Sequence, residues 1–411
     1  MEQILLKNIN KTNSHDIFVY AAGGGYQALR KALSLKPEDI LNEVKQSRLI
    51  GRSGAFPVGT KWSLTRKEPA EPKYLVCDAD EGEPGTFKDR LIMGRDPHLL
   101  LEGMIITAFA IGVKQAYIYI RGEYLNEIQI VKNAITQAVE NNYLGNNILG
   151  TDFCLNILIY KGAGSYVVGE ETSLLRSMAG LRPSPGARPP YPAQSGFLGK
   201  PTVVNNVETL ANIPAIIQNG GNWYSKIGNP DYPGTKLFCL SGNVNRPGVY
   251  ELPIGITLRE LINDHGGGVK GELKAVLPGG VASGLVNDLD IRMDYKSLQQ
   301  VNSLLGTGAT IVMNTDVNII DISIDTLRFF VKESCGKCSV CREGIRAGIM
   351  ILRRFERNEA KPSDIKLLRT LRRLMYETAN CVLGQAALNT TVSATKLFRE
   401  EFESRVRNRV I

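Results

Sequence analysis

A run of three cysteines, Cys335, Cys338 and Cys341 in the spacing C-x2-C-x2-C, with Cys381 standing alone further on, limits what this chain can fold around more than any other feature. Seven cysteines in a chain with no export signal point to metal binding rather than to disulfides. Structural zinc sites usually bring two C-x2-C pairs together around one tetrahedral ion. The run here instead lets a single loop touch three corners of an iron–sulfur cubane, as in bacterial ferredoxins. Those proteins place a fourth cysteine three residues later, where this chain has Ile345, so the fourth ligand must come from elsewhere, and Cys381, which opens its own turn, is the candidate. The spacing favours one 4Fe–4S cluster, with zinc as the alternative. Cys77, Cys154 and Cys239 lie in strand-like contexts and read as buried small hydrophobes.

Around this motif the chain alternates in texture. The segments 74–77, 116–120 and 155–160 are short, β-branched or aromatic, and bounded by turn residues, which predicts strands. Helical patterns over 99–111 and 123–140 lie between them, and such alternation predicts an α/β sheet covered by helices. Ligands on sheets of this kind bind beyond the carboxyl ends of the strands. Residues 180–201 hold six prolines and four glycines and are expected to form a functional loop. From 236 to 318 short strands (237–241, 248–250, 275–277) and one helix (257–264) predict a small α+β module. From Ile324 onward, apolar residues at helical intervals (Ile345, Ile349, Leu352, Phe355) predict a helical bundle. The expected domains are 1–235, 236–318 and 319–411, and no internal repeat is visible.

Three loops carry polar chemistry. Gly51-Arg-Ser-Gly-Ala-Phe-Pro-Val-Gly59 with Lys61 combines glycines, which let backbone N–H groups approach phosphate, with cations; a tight surface turn is the plain alternative. The stretch 78–85, directly after a predicted strand, holds the carboxylates of Asp78, Asp80, Glu81 and Glu83. These can accept hydrogen bonds from sugar hydroxyls, ring N–H groups or a carboxamide, or can simply cap helices at a solvated turn. A third loop, 162–171, ends in Gly169, Glu170 and Glu171 ahead of a helix expected at Thr172, and Asn205-Asn206 opens a helix that contains Thr209.

Net charge is +8, but the cations are scattered. The densest group (Arg353, Arg354, Arg357, Arg369, Arg372, Arg373) sits at helical spacing, as a solvated face or a docking surface for an acidic partner. Without basic–aromatic interleaving, no nucleic-acid partner is expected. The apolar stretch 104–113 is far short of the roughly 20 residues that span a bilayer, and the N-terminus shows neither signal nor transit peptide, so a cytoplasmic protein without a direct membrane span is expected.

Four stretches, 74–90, 162–175, 195–212 and 333–344, occur in order and closely resemble the NADH-binding, FMN-containing subunit of respiratory complex I and the diaphorase subunits of NAD-linked hydrogenases and formate dehydrogenases. The resemblance implies a Rossmann-like FMN/NAD domain, a β-grasp-like module at 236–318 and a 4Fe–4S helical domain. It implies FMN, NAD(H) and a cluster on Cys335, Cys338, Cys341 and Cys381. Gly51, Arg52 and Lys61 would line the FMN phosphate and ribityl chain. Asp78, Asp80, Glu81, Gly169, Glu170, Asn205, Asn206 and Thr209 would complete the flavin site. Phe56 would stack on NADH, Glu83 and Glu171 would hold its amide and ribose, and Arg188 and Tyr191 would meet its outer part. Hydride transfer needs no side-chain acid or base, so these are positioning residues. Implied partners are a thioredoxin-like 2Fe–2S subunit and a larger iron–sulfur catalytic subunit of hydrogenase or formate dehydrogenase type. The family's usual G-R-G-G-A-G-F reads G-R-S-G-A-F here; Asp78 replaces a usual Asn, Arg188 a Lys, Tyr191 a Phe and Leu64 an aromatic residue. Alternative readings are an NADP-linked or electron-bifurcating variant and a non-catalytic electron wire.

Overall fold

The computed structural model describes residues 3–407. Strands β1 (Tyr74–Ala79), β2 (Gln115–Arg121), β3 (Asn156–Gly162) and β4 (Thr202–Asn206) form one sheet in the order β3-β2-β1-β4, with every neighbouring pair parallel. The near-continuous apolar run of β1, buried from Leu75 to Ala79, is what a strand covered on both faces requires. The helix Pro97–Ile111 is mostly apolar and buried along almost its whole length, its His98 and Glu102 included, so it is a core element rather than an amphipathic cover. The helix Leu125–Glu140 buries only Ile128, Val131, Ala134 and Ala138, the stripe expected of a surface helix. Chain order steps from β1 outward through β2 to β3 and then returns to β4 on the other side of β1. The β1/β4 boundary is therefore the switch point at which such sheets bind ligands.

A two-stranded ribbon, β5 (Gly228–Asn229) and β6 (Tyr232–Pro233), precedes a second sheet. That sheet comprises β7 (Thr235–Gly242), β8 (Gly248–Pro253), β9 (Leu273–Leu277) and β10 (Ala309–Asn314) in the order β8-β7-β10-β9. β10 runs parallel to β7 and antiparallel to β9. The chain divides into two compact units. One takes the residues up to Gly82, Phe87–Leu237 and Glu251–Ile254; the other takes Glu83–Thr86, Phe238–Tyr250 and the residues from Gly255 onward.

The structure corrects several local expectations. The C-terminal helices begin at Ile319, not Ile324, because the Asn318 side chain caps the N–H groups of Ile320 and Asp321. The helix expected at 257–264 is π-helical over Glu260–His265. Cys154 lies before β3 and is half-buried, unlike the fully buried Cys77 and Cys239. Asn205 belongs to β4, and Asn206 alone caps the following helix Val207–Ala211. The Pro-rich stretch 180–201 carries no regular structure beyond one turn of 3-10 helix, Phe197–Gly199. Among the described residues no helix is long and apolar enough to cross a membrane.

Candidate functional site

At the carboxyl ends of β1 and β4 the side chains are already bonded to one another. Lys88, fully buried, lies 2.7 Å from Asp89 Oδ1, 2.9 Å from Glu208 Oε2 and 3.0 Å from Asn206 Oδ1. Burial alone would lower its pKa, but the two carboxylates more than reverse this and hold the ammonium charged. Burial likewise raises Glu208, and Lys88 pulls it back below the ordinary carboxylate range. The Asn206 amide donates to Asp89 Oδ2 (2.7 Å) and to the Asp78 carbonyl (3.2 Å), locking the end of β4 to the end of β1. The indole N–H of the buried Trp62 donates to Asn205 Oδ1 at 2.8 Å and so fixes which way that amide faces.

The acidic loop contributes unequally. Glu81 accepts from the N–H groups of Asp89 (2.7 Å) and Arg90 (3.3 Å) and from the Tyr124 hydroxyl (3.1 Å), so it caps the helix Asp89–Arg95. Burial, with Asp89 nearby, pushes its carboxyl up to about 7. Asp80 lies 3.3 Å from the Arg121 guanidinium. Burial and the charge of Asp80 push Asp78 up to about 8, so this side chain keeps its proton at neutral pH. A protonated carboxyl both donates and accepts, as the Asn usual at this position does. Glu83 is buried in the second unit, where its Oε1 accepts from Ala282 N–H at 3.1 Å.

The glycine loop is tethered at Arg52. Its N–H donates to Thr209 Oγ1 (3.0 Å), its carbonyl accepts from Lys236 Nζ (2.5 Å), and its guanidinium turns inward to the Tyr224 hydroxyl (2.7 Å) and the Pro233 carbonyl (3.0 Å). Arg52 therefore braces the loop from inside through main chain and side chain alike, while Ser53 to Pro57 remain exposed around it. Lys61 bonds Glu171 Oε2 (2.8 Å) and the Val204 carbonyl (3.1 Å). Glu170 caps the helix Glu171–Met178 through Ser173 N–H and also pairs with Arg188, whose guanidinium lies 3.3 Å from Glu171 as well. Phe56 and Tyr191 are about half exposed, at 49% and 53%. A methyl group placed on Gly54 or Gly169 would meet nothing within 4 Å. An open glycine cradle beside a rigid acceptor-rich strand end fits a phosphorylated ring cofactor. Lys88, Arg121, Tyr124, Trp62 and Lys236 were not foreseen. Lys88 lies inside the quoted 74–90 stretch, but a lysine ahead of an aspartate gives no hint of burial.

In the second unit Cys338 is the N-cap of the helix Ser339–Glu356 and Cys341 lies in that helix's first turn, while Cys381 is the N-cap of Val382–Ala386. The amphipathic face of the long helix buries Ile345, Leu352 and Phe355 and so presents its N-terminus to the cysteine loop. Ser334 Oγ and Cys341 Sγ are 3.4 Å apart, and a Cβ on Gly384 would come within 3.2 Å of that sulfur. Burial, reinforced by Cys338, Cys381 and Cys335, pushes the Cys341 thiol up to about 11; burial raises Cys381 as well, with Cys335 and Cys338 adding to it. The four thiols are thus gathered into one locality. Among the described residues, no three His, Cys, Asp or Glu side chains close into a group compact enough for a single ion. Four soft thiolates distributed over a cubane are a different donor arrangement, and the set fits it.

Residues 44–215 match the Nuo51 FMN-binding domain, 236–314 the SLBB domain, and 321–405 the NADH-ubiquinone oxidoreductase-F iron-sulfur binding region. The chain is 46% identical to an F-type subunit of NADH-quinone oxidoreductase from Rhizobium meliloti (strain 1021), covering 99% of this chain and 98% of that protein. It is 44% identical to the F-type subunit of NADH-quinone oxidoreductase from Escherichia coli (strain K12), over 94% and 89%. It is 42% identical to the HndC subunit of the NADP-reducing hydrogenase of Solidesulfovibrio fructosivorans, over 98% and 83%. A crystal structure of NAD+-reducing [NiFe]-hydrogenase in the H2-reduced state superposes with a TM-score of 0.86 at 32% identity, over 100% of this chain and 68% of that one. The chain belongs to the family of NADH-binding FMN and 4Fe–4S subunits found in NADH-quinone oxidoreductases and related multi-subunit oxidoreductases.

Proposed function

We propose that this subunit collects electrons from NADH and passes them from the cluster on Cys335, Cys338, Cys341 and Cys381 to a thioredoxin-like 2Fe–2S subunit and a larger iron–sulfur catalytic subunit of hydrogenase or formate dehydrogenase type. Bound FMN supplies the conversion between the two-electron chemistry of nicotinamide and the one-electron chemistry of an iron–sulfur centre. The observation that carries this reading is the convergence of the glycine loop, Asp78, Asp80, Asn205, Asn206 and Thr209 on the β1/β4 switch point.

In this reading the exposed Ser53–Pro57 segment and Gly169 cradle the FMN phosphate and ribityl chain, with Lys61 supplying charge. Asp78, holding its proton, and the oriented amide of Asn205 bond the flavin ring. Glu81 and Glu170, committed to helix caps, fix the backbone of their loops. The half-exposed ring of Phe56 offers a face to the nicotinamide. Glu171, shared between Lys61 and Arg188, retains lone pairs for ribose hydroxyls, and Glu83 accepts from the carboxamide. Arg188 is engaged by Glu170 and Glu171, which favours NADH over a nucleotide with a 2′-phosphate. The segments 1–235, 236–318 and 319–411 serve as flavin, β-grasp and cluster domains, in a cytoplasmic assembly. Anaerobic addition of NADH to the FMN- and cluster-loaded protein is expected to bleach the flavin absorbance; an unbleached flavin overturns the proposal.

A further inference from the structure

We propose that the glycine turn Pro278–Gly284 of the β-grasp module is a positioning element for the nucleotide, acting through Glu83, and that Asn389 and Thr390 hold the turn in place. The inference rests on the reading above that Glu83 touches NADH, and extends it to residues no resemblance assigned a role.

Glu83 begins a four-residue segment, Glu83–Thr86, that packs with the second unit. Within it Thr86 N–H donates to the Glu83 carbonyl at 3.0 Å, Thr86 Oγ1 lies 2.7 Å from Thr307 Oγ1, and Gly85, at φ +84°, leaves room for Ile311 of β10. The segment is thereby held against the sheet, and its carboxylate points at the turn. Ala282 N–H donates to Glu83 Oε1 at 3.1 Å. Gly280, at φ +88°, lies so close that a Cβ there would stand 2.3 Å from the same oxygen. Both glycine requirements, the left-handed backbone and the missing side chain, serve the approach of this one carboxylate.

The turn itself is fixed from both sides. Gly280 N–H donates to the Ala309 carbonyl at 2.7 Å and Ser283 Oγ to the Gly280 carbonyl at 2.6 Å. On the other side three residues of the helix Asn389–Leu397 supply four hydrogen bonds. Asn389 Nδ2 donates to the Ala282 carbonyl (3.0 Å), Thr390 Oγ1 reaches the Val281 and Ser283 carbonyls (3.0 Å each), and Ser393 Oγ accepts from Leu285 N–H (2.8 Å). Asn389 and Thr390 are buried, so these hydrogen bonds are not exchanged with water. A glutamate left without its amide donor would spread over several rotamers, and the nucleotide would have to order it on binding.

The test is a double-substitution cycle in the purified, FMN- and cluster-loaded protein with the subunits that accompany it. NAD+ affinity is read by calorimetry, and NADH KM and kcat with an artificial one-electron acceptor. Glu83→Ala and Gly280→Ala are each expected to raise the NAD+ Kd and the NADH KM roughly tenfold, with kcat little changed. Asn389→Ala, which leaves the turn glycine intact, is expected to shift the same two quantities in the same direction, and it serves if Gly280→Ala fails to assemble. In a Glu83→Ala background, Gly280→Ala and Asn389→Ala are expected to cost nothing more. Equal costs in both backgrounds would overturn the positioning role while leaving Glu83 a nucleotide contact. No effect of Glu83→Ala alone would instead remove the reading on which it rests.

Discussion

Side chains at the ends of β1 and β4 already satisfy one another in a dense network of charge and amide, whereas the three thiols of the cysteine loop and that of Cys381 gather beside a serine hydroxyl and the first turns of two helices. In the first region Lys88, Asp89, Glu208 and Asn206 are fixed by hydrogen bonds that owe nothing to a ligand, so the cradle is preorganised. In the second, burial and then the neighbouring sulfurs raise the Cys341 and Cys381 thiols, and metal binding must displace their protons. One region is built to receive a cofactor; the other is completed by one.

The contrast is broken most severely at a cluster ligand. Cys338→Ser is expected to abolish the cluster's iron content, measured by metal analysis, while NADH still bleaches the flavin, because nothing in the β1/β4 network depends on that thiol. At the other pole, Lys88→Met leaves Asp89 and Glu208 buried without their cation. Thermal or denaturant unfolding should then report a loss of about 3–5 kcal/mol.

Asp78→Asn sharpens the comparison in the opposite sense. The folded Asp78 titrates near 8, far above an unfolded aspartate at its ordinary value of 3.8. Its contribution is intact below the unfolded value and is lost as pH rises from there towards 8. The asparagine variant should melt higher at pH 7–8 by roughly 1–3 kcal/mol, and its melting temperature should fall less between pH 5 and pH 8. A variant with an unchanged pH slope would place the titration elsewhere. Phe56→Ala is the mildest: roughly a tenfold rise in NADH KM from lost stacking, with stability within about 0.5 kcal/mol of the parent since the ring is half exposed.

Strands and helices with local periodicity were legible in the sequence. The runs at 74–77, 116–120 and 155–160 became β1, β2 and β3, and the spacing of Cys335, Cys338 and Cys341 announced a loop around metal. β4 and β10 passed unseen, because their short polar-edged segments become strands only by pairing with β1 and β7. Arg52 reads as a phosphate ligand in its glycine loop, yet Tyr224 and Pro233, far along the chain, draw its guanidinium inward. Glu83 appears in sequence as one of four neighbouring acids. Only the distant turn at Gly280–Ala282 separates it from Glu81, which is a helix cap. Sequence showed which residue types were present; long-range contacts decided which way each faced.

Electron paramagnetic resonance of samples frozen milliseconds after anaerobic mixing with NADH tests the central claim most directly. The account predicts the signal of a reduced 4Fe–4S cluster in the parent protein and its absence in Cys381→Ser, with flavin reduction in both. A cluster that stays oxidised while the flavin is fully reduced, or a Cys381→Ser protein that still gives the signal, would contradict it.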